Sequence, residues 1–275
     1  RWAPDGKTIV YSASAHGSTP RLYVIRPDYL EPVPLGPDSV NLLSVSSTGE
    51  LALLTHARHD NHRVFRGTLA RMPLGGGTPR EIMEDVQEAD WSPDGSELAV
   101  LHRQGDVVQL EYPAGKVLYR RRIGGYLSDP RVSPSGDRVA FVNHDFAGDD
   151  RGWVMVVDRS GKATRVTQEF SGAEGLTWEP GGRSLLTSAT ETGSILQVQR
   201  ADLKGRARTV LPSPGDLTLH DVTPDGRWLT SRDAQVHGLI ARAPGADADL
   251  DLSWLNGSIV PLVSADGQWV AFTDI

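Results

Sequence analysis

Trp91-Ser92-Pro93-Asp94-Gly95 decides the fold, because the chain repeats it at near-constant intervals. The phrase returns as Trp2-Ala3-Pro4-Asp5-Gly6, Val132-Ser133-Pro134-Ser135-Gly136, Trp178-Glu179-Pro180-Gly181-Gly182, Val222-Thr223-Pro224-Asp225-Gly226 and Val263-Ser264-Ala265-Asp266-Gly267. Val45-Ser46-Ser47-Thr48-Gly49 is a degenerate copy. Successive final glycines lie 43, 46, 41, 46, 44 and 41 residues apart, a spacing that belongs to repeated supersecondary units. In the five copies that carry it, proline presets φ for the first central position of a turn, Asp or Ser tolerates the second, and glycine takes the positive φ that closes a hairpin.

An apolar run follows each turn, as in Thr8-Ile9-Val10-Tyr11, Leu98-Ala99-Val100-Leu101, Val139-Ala140-Phe141-Val142 and Trp269-Val270-Ala271-Phe272. Unbroken runs of this length suit strands covered on both faces. A polar loop then leads to a third strand, for example over 21–25, 153–157 and 195–199, and a turn such as Asp158-Arg159-Ser160-Gly161 leads to a fourth over 163–167. Four antiparallel strands repeated radially make a blade of a β-propeller. The expected architecture is therefore all-β, one propeller domain over 1–275 with repeat turns near 6, 49, 95, 136, 182, 226 and 267. Six repeats are near-complete and a seventh is partial, so six or seven blades are possible. Residues 269–272 would duplicate 8–11 in a six-bladed ring, which favours a larger ring or a piece of a longer protein continuing past Ile275. One segment competes with this register. Thr78-Pro79-Arg80-Glu81 has the form of a helix capping box with Ile82, Met83 and Val86 at helical spacing. The repeat instead calls for a fourth strand at 80–83, and the repeat is followed.

The 275 residues include 35 acidic and 28 basic ones, for a net charge of −7, which gives no general attraction to phosphate backbones. Nucleic acid is not an expected partner. No apolar run approaches the roughly 18 residues of a membrane helix, so no membrane insertion is expected within this chain. The absence of cysteine removes disulfides, thiolate metal sites and thiol nucleophiles, and it suits an oxidising, extracytoplasmic compartment.

In a propeller, loops after the second strands and before the first strands open on one face around the channel mouth. The repeat register puts His56, Arg58, His59 and His62 there, with His102 and Arg103, then Asn143, His144, Asp145, Asp149 and Asp150, then Thr190 and Glu191, then Arg232, Asp233 and His237. The loops before first strands add Glu88, Asp129, Glu174 and His220, while His16 follows the second strand of the first repeat. Of these, His56, Arg58, His102, Arg103, Asp129, His144, Asp145, Glu174, His220, Arg232 and Asp233 are the candidate ligand-binding residues. Imidazoles and carboxylates at a mouth suit a charged ligand or an assembled metal site. Polar residues also collect in loops simply because loops are solvated. No His pair has the spacing of a preformed metal motif, no catalytic residue is assigned, and neither a metal nor a cofactor is expected.

Other signals have plainer readings. Asp149-Asp150 and Asp247, Asp249 and Asp251 lack the calcium-loop pattern and read as solvated turns. Trp2, Trp91 and Trp178 occupy equivalent repeat positions and read as packed between blades. Gly75-Gly76-Gly77 lacks the lysine and helix of a phosphate loop and reads as a hairpin turn. There is no Gly-x-Ser-x-Gly elbow for a serine hydrolase. An acid/base lyase remains open, since such sites leave no compact motif.

Trp-Ser-Pro-Asp-Gly followed by an apolar strand resembles the TolB-type, WD-like β-propeller repeat, which also occurs in prolyl oligopeptidase-like peptidases. The likeness covers the whole chain, and it is specific for fold and unspecific for function. Leu219-His220-Asp221-Val222-Thr223-Pro224-Asp225-Gly226-Arg227 and Asp251-Leu252-Ser253-Trp254-Leu255 are further similar to propellers attached to bacterial eukaryotic-like serine/threonine kinases. That resemblance implies a sensory module outside the cytoplasm with a kinase elsewhere in the protein. The expectation is a non-catalytic binding, sensing or protein-interaction propeller of a larger bacterial protein, with a protein or small-molecule ligand. The alternatives are a propeller lyase or hydrolase with a His-bound metal, and the gating propeller of a peptidase with a covalently attached hydrolase domain.

Overall fold

The computed structural model describes residues 1–14, 18–29, 31–61, 63–234, 236–255 and 257–274. All seven turn phrases form as read. In each, the closing glycine N–H donates to the carbonyl three residues back, from Gly95 to Ser92 at 2.8 Å and from Gly226 to Thr223 at 2.8 Å, for instance. The phrase's Ser or Thr adds a second tie, since Glu97 N–H donates to Ser92 Oγ at 2.9 Å and Arg227 N–H to Thr223 Oγ at 2.8 Å. These short side-chain bonds favour the turn over any helical alternative.

The chain forms two compact units, Arg1–Arg232 and Asp233–Ile275. In the first, β1 (Ile9–Ala13), β2 (Arg21–Ile25) and β3 (Val33–Asp38) make one antiparallel sheet, extended inward by a bridge from Trp2 to Ile9. β4 (Val40–Val45), β5 (Glu50–Asn61), β6 (Val64–Pro73) and β7 (Arg80–Trp91) form the second blade. β7 then continues as the inner strand of the third, pairing with β8 (Leu98–Gln104), which precedes β9 (Val107–Glu111) and β10 (Val117–Arg122). The segment with a helical cap signature is thus strand: its backbone groups are taken by β6 and β8, and register outweighs local propensity. Blade four holds β11 (Tyr126–Val132), β12 (Arg138–His144), β13 (Trp153–Asp158) and β14 (Ala163–Arg165). Blade five holds β15 (Gly172–Trp178), β16 (Ser184–Thr190), β17 (Gln197–Asp202) and β18 (Ala207–Leu211), and blade six holds β19 (Leu217–Val222) and β20 (Trp228–Arg232).

Side chains seal neighbouring blades where no ladder can. Phe141, Leu101 and Leu110 are fully buried in one cluster shared by blades three and four, and Phe170, Leu176 and Leu185 lie in another shared by four and five. Each such side chain contributes about 1.5–3 kcal/mol. The repeat tryptophans lie at these seams as read: Arg71 of blade two covers the Trp91 ring at 4.8 Å, and Arg138 of blade four covers Trp178 at 5.3 Å. The same pairing joins blade six to blade one, with Arg227 5.4 Å from the Trp2 ring. Trp2 N–H also donates to Asp221 Oδ2 at 2.9 Å, so within this unit the sixth repeat meets the first. Of the blade numbers that the repeats leave open, this unit realises six, and the seventh turn phrase belongs to the other unit.

That second unit contains two hairpins, β21 (Ile240–Ala241) with β22 (Leu250–Asp251) and β23 (Ser258–Val263) with β24 (Val270–Asp274). Among the described residues no helix is long and apolar enough to cross a membrane.

Candidate functional site

The residue just before each turn phrase is the last of the inner strand to face the axis. In the first unit these are Arg1, Ser44, Asp90, Arg131, Thr177 and Asp221, and all six line one cavity of about 340 Å³. Pro93, Pro134, Pro180 and Pro224 mark this end of the channel as the side of the turns. A second cavity of about 330 Å³ opens toward the opposite end, lined among others by Gln87, Glu88, Asp129, Glu174 and His220. Arg1 and Arg131 line both cavities and form the septum between them. Their guanidinium groups are held mostly by main-chain oxygens. Arg1 Nη1 donates to His220 O at 2.8 Å and Arg1 Nη2 to Leu43 O at 3.1 Å, while Arg131 Nη1 donates to Pro130 O at 3.1 Å.

Five of the six blades bend at this level. The inner strands break register between Leu42 and Ser44, Val86 and Glu88, Ser128 and Arg131, Glu174 and Leu176, and Leu219 and Asp221. Bulges re-aim side chains, and here they turn carboxylates toward the axis. Asp129, at a φ of 53°, and Gly175, at 68°, occupy equivalent positions three residues before Val132 and Trp178.

The carboxylates also stitch blade to blade. Glu88 Oε2 accepts the Asp129 N–H at 2.9 Å, and Asp90 Oδ2 accepts the Val132 N–H at 2.9 Å. Loss of hydration deep among protein atoms raises the Asp90 pKa, against the opposing charges of Arg131 and Arg1. The same loss pushes Glu88 up to about 8, helped by the charge of Asp129. A carboxyl raised on folding binds more protons than the unfolded chain between its ordinary value of 4.5 and about 8, so it lowers stability as pH rises through that window. Glu88→Gln keeps an oxygen for the Asp129 N–H and removes the charge. We expect it to raise the unfolding free energy by about 2–4 kcal/mol near pH ~8.5 and to change little near pH ~4.5. Urea titrations at the two pH values check this, and equal effects at both would refute the assignment.

The β5–β6 hairpin reaches over the mouth. Arg63, Val64 and Phe65 line the upper cavity, and Arg63, from blade two, crosses to blades four and five. Its Nε lies 3.0 Å from Asp150 Oδ1, and its Nη1 pairs with Glu174. The base of the hairpin is tied down by Arg58 and Arg66, both on Asp85 Oδ1 at 2.8 and 2.9 Å, and by Arg103 on Asp60.

Beside the mouth, His144 is buried and stacks on Tyr126 with ring centroids 4.0 Å apart. Burial pulls its pKa down to about 4, so the ring is neutral. Nδ1–H donates to Arg151 O at 3.1 Å, so the unprotonated Nε2, 3.0 Å from Ser128 Oγ, competes for the single hydroxyl proton that Ser128 donates to Asp129 Oδ2 at 2.9 Å.

Of the candidate residues, the structure brings Asp129, Glu174 and His220 to the channel cavity, with Glu88 beside them. His144 touches that group through Ser128. His56 instead pairs with Glu81 at 3.0 Å, Arg58 with Asp85, and Asp145 with Arg121 at 2.8 Å. His102 Nδ1 bonds Glu111 at 2.9 Å within blade three, and Arg103 serves the hairpin base. Arg232 ends β20, and Asp233 and His237 belong to the second unit. His16 and His62 lie outside the described residues. Arg1, Arg63, Asp90, Arg131 and Asp221 were not among the candidates. All but Arg63 had a signal, since each immediately precedes the recurring phrase. Among the described residues, no three His, Asp or Glu side chains are grouped as a metal ion requires.

No family model matches the chain. The uncharacterized peptidase YuxL of Bacillus subtilis (strain 168) is 24% identical over 197 residues, covering 68% of this chain and 29% of that protein, so the chain spans less than a third of this curated relative. Among solved structures, a putative TolB from Agrobacterium tumefaciens aligns with a TM-score of 0.57 and 19% identity, over 76% of this chain and 78% of that one. TolB from Acinetobacter baumannii aligns at 0.51 and 15%, over 96% and 72%. An oligogalacturonate lyase in complex with manganese aligns at 0.50 and 15%, over 76% and 63%. Identities this low speak for the fold alone, and that fold is the TolB-type β-propeller.

Proposed function

We propose that this chain is a non-catalytic binding propeller of a larger bacterial protein, placed outside the cytoplasm, which takes a protein segment or small molecule at the strapped mouth of its channel. One observation carries the reading: a cavity of about 330 Å³ lies on the axis, lined by Gln87, Glu88, Asp129, Arg131 and Glu174 from the inner strands of three blades. A concave site with a few convergent polar groups is the common form of a ligand pocket. A larger parent protein fits the short span of the YuxL match. That same match supports a second reading, in which the propeller gates an attached peptidase domain, and sequencing the gene on both sides of this segment separates the two.

A thermal-shift screen of peptides and small molecules tests the binding role. Hits that raise the melting temperature of the wild type should lose their effect on Asp129→Asn, whose side chain lines the cavity, and keep it on Arg122→Ala, which is 83% exposed on blade three. Hits that all survive Asp129→Asn would place binding elsewhere and defeat the proposal.

A further inference from the structure

Arg63 is the informative residue of the mouth. It is carried by blade two, yet its guanidinium sits between Asp150 of blade four and Glu174 of blade five, on the far side of the axis. The two carboxylates take different edges of the fork, Nε and Nη1, which is the geometry of guanidinium recognition and not that of a point charge. Behind it lie Glu88 and Asp129, so the mouth without Arg63 would present four acidic side chains above the Arg1–Arg131 septum. A separate observation points to a donor-rich occupant. Gln87 lines the same cavity, is only 5% exposed, and its Oε1 has no hydrogen-bond partner. A buried acceptor left this way costs about 1–3 kcal/mol, which an N–H donor recovers.

We infer that the mouth is a receptor for an arginine side chain of a partner polypeptide, and that Arg63 is a built-in occupant which holds the site closed until it is displaced. The inference rests on the binding role proposed above and names its ligand chemistry. The β5–β6 hairpin competes in cis, so partner affinity is reduced by the fraction of time that Arg63 fills the pocket. Asp150 and Glu174 are the anchoring residues, and Gln87 is the acceptor for a further N–H of the incoming group.

The test uses calorimetric titration of the whole chain with acetyl-Gly-Arg-Gly-amide and with its citrulline counterpart, which has the same shape and no charge. Arg63→Ala should bind the arginine peptide about tenfold or more tightly than the wild type does, and should prefer it about tenfold over citrulline. Adding Glu174→Gln to Arg63→Ala should return binding to the wild-type level. The inference is overturned if Arg63→Ala gains nothing, if citrulline or a lysine peptide binds equally well, or if Glu174→Gln has no effect. Should Arg63→Ala fail to fold, Arg63→Met keeps the stem and removes the head, and the same inequalities apply. An arginine peptide refused by a mouth whose screen hits still depend on Asp129 sinks this inference alone. Hits that never depend on Asp129 sink the binding role with it.

Discussion

Arg131→Ala is expected to lower the unfolding free energy by about 3–5 kcal/mol near pH ~8, the loss seen when one partner of a buried charge group is removed. Arg131 is 6% exposed, and its charge holds down the pKa of Glu88 and, as the largest counter-effect, of Asp90. Without it those carboxylates rise further above their ordinary range, and the extra penalty grows as pH rises through the window in which they ionise. The loss should therefore shrink near pH ~5, where protonation removes the unbalanced charge. Denaturant unfolding at the two pH values measures it. A loss that does not depend on pH would mean that Arg131 acts through packing and not through charge. The same septum closes the path between the two channel cavities, so the variant should also join them.

Gly175→Ala carries the second large effect, about 3 kcal/mol or more, or outright failure to fold. Gly175 sits at a φ of 68°, where a Cβ costs roughly 1–2 kcal/mol. The added methyl would also fall on the Leu219 carbonyl oxygen, well inside van der Waals contact, and both backbones are pinned there. Leu219 N–H donates to Ser188 Oγ at 2.8 Å, which ties blade six to blade five and prevents a cheap retreat. A melting temperature unchanged in Gly175→Ala would show that β19 can slide and that the seam is loose.

The blades were legible because each is written in local chemistry. A proline, an aspartate or serine and a glycine specify the bend, and the apolar run after it specifies a strand covered twice. Even 80–83, within a stretch whose local signals favour a helix, could be read as strand from its place in the period. The candidate site was legible only in part. Glu88, Asp129, Glu174 and His220, expected in the loops before the inner strands, lie within those strands instead, where they line the channel cavity. The loops after the second strands were a poorer guide, because β5 and β8 run on as ladder past the point where the period predicts a loop. His56, Arg58, His102 and Arg103 thus lie within strands and pair with neighbours such as Glu81, Asp85, Glu111 and Asp60. Arg63 could not be assigned from sequence at all. Its role depends on a hairpin long enough to span the axis, and spans between non-adjacent blades leave no periodic trace.

β7 has one more consequence. Most neighbouring blades in the first unit touch through side chains and scattered bonds, but blades two and three share a single unbroken strand and form one seven-stranded sheet. The peptide chain itself crosses that seam, kinked at Asp85, whose φ is 55°. If the channel widens to admit a guest, the strain cannot be spread evenly around the circle. The fused pair must move as a rigid plank, and any loosening has to come from the other seams, including the one where Trp2 meets Asp221.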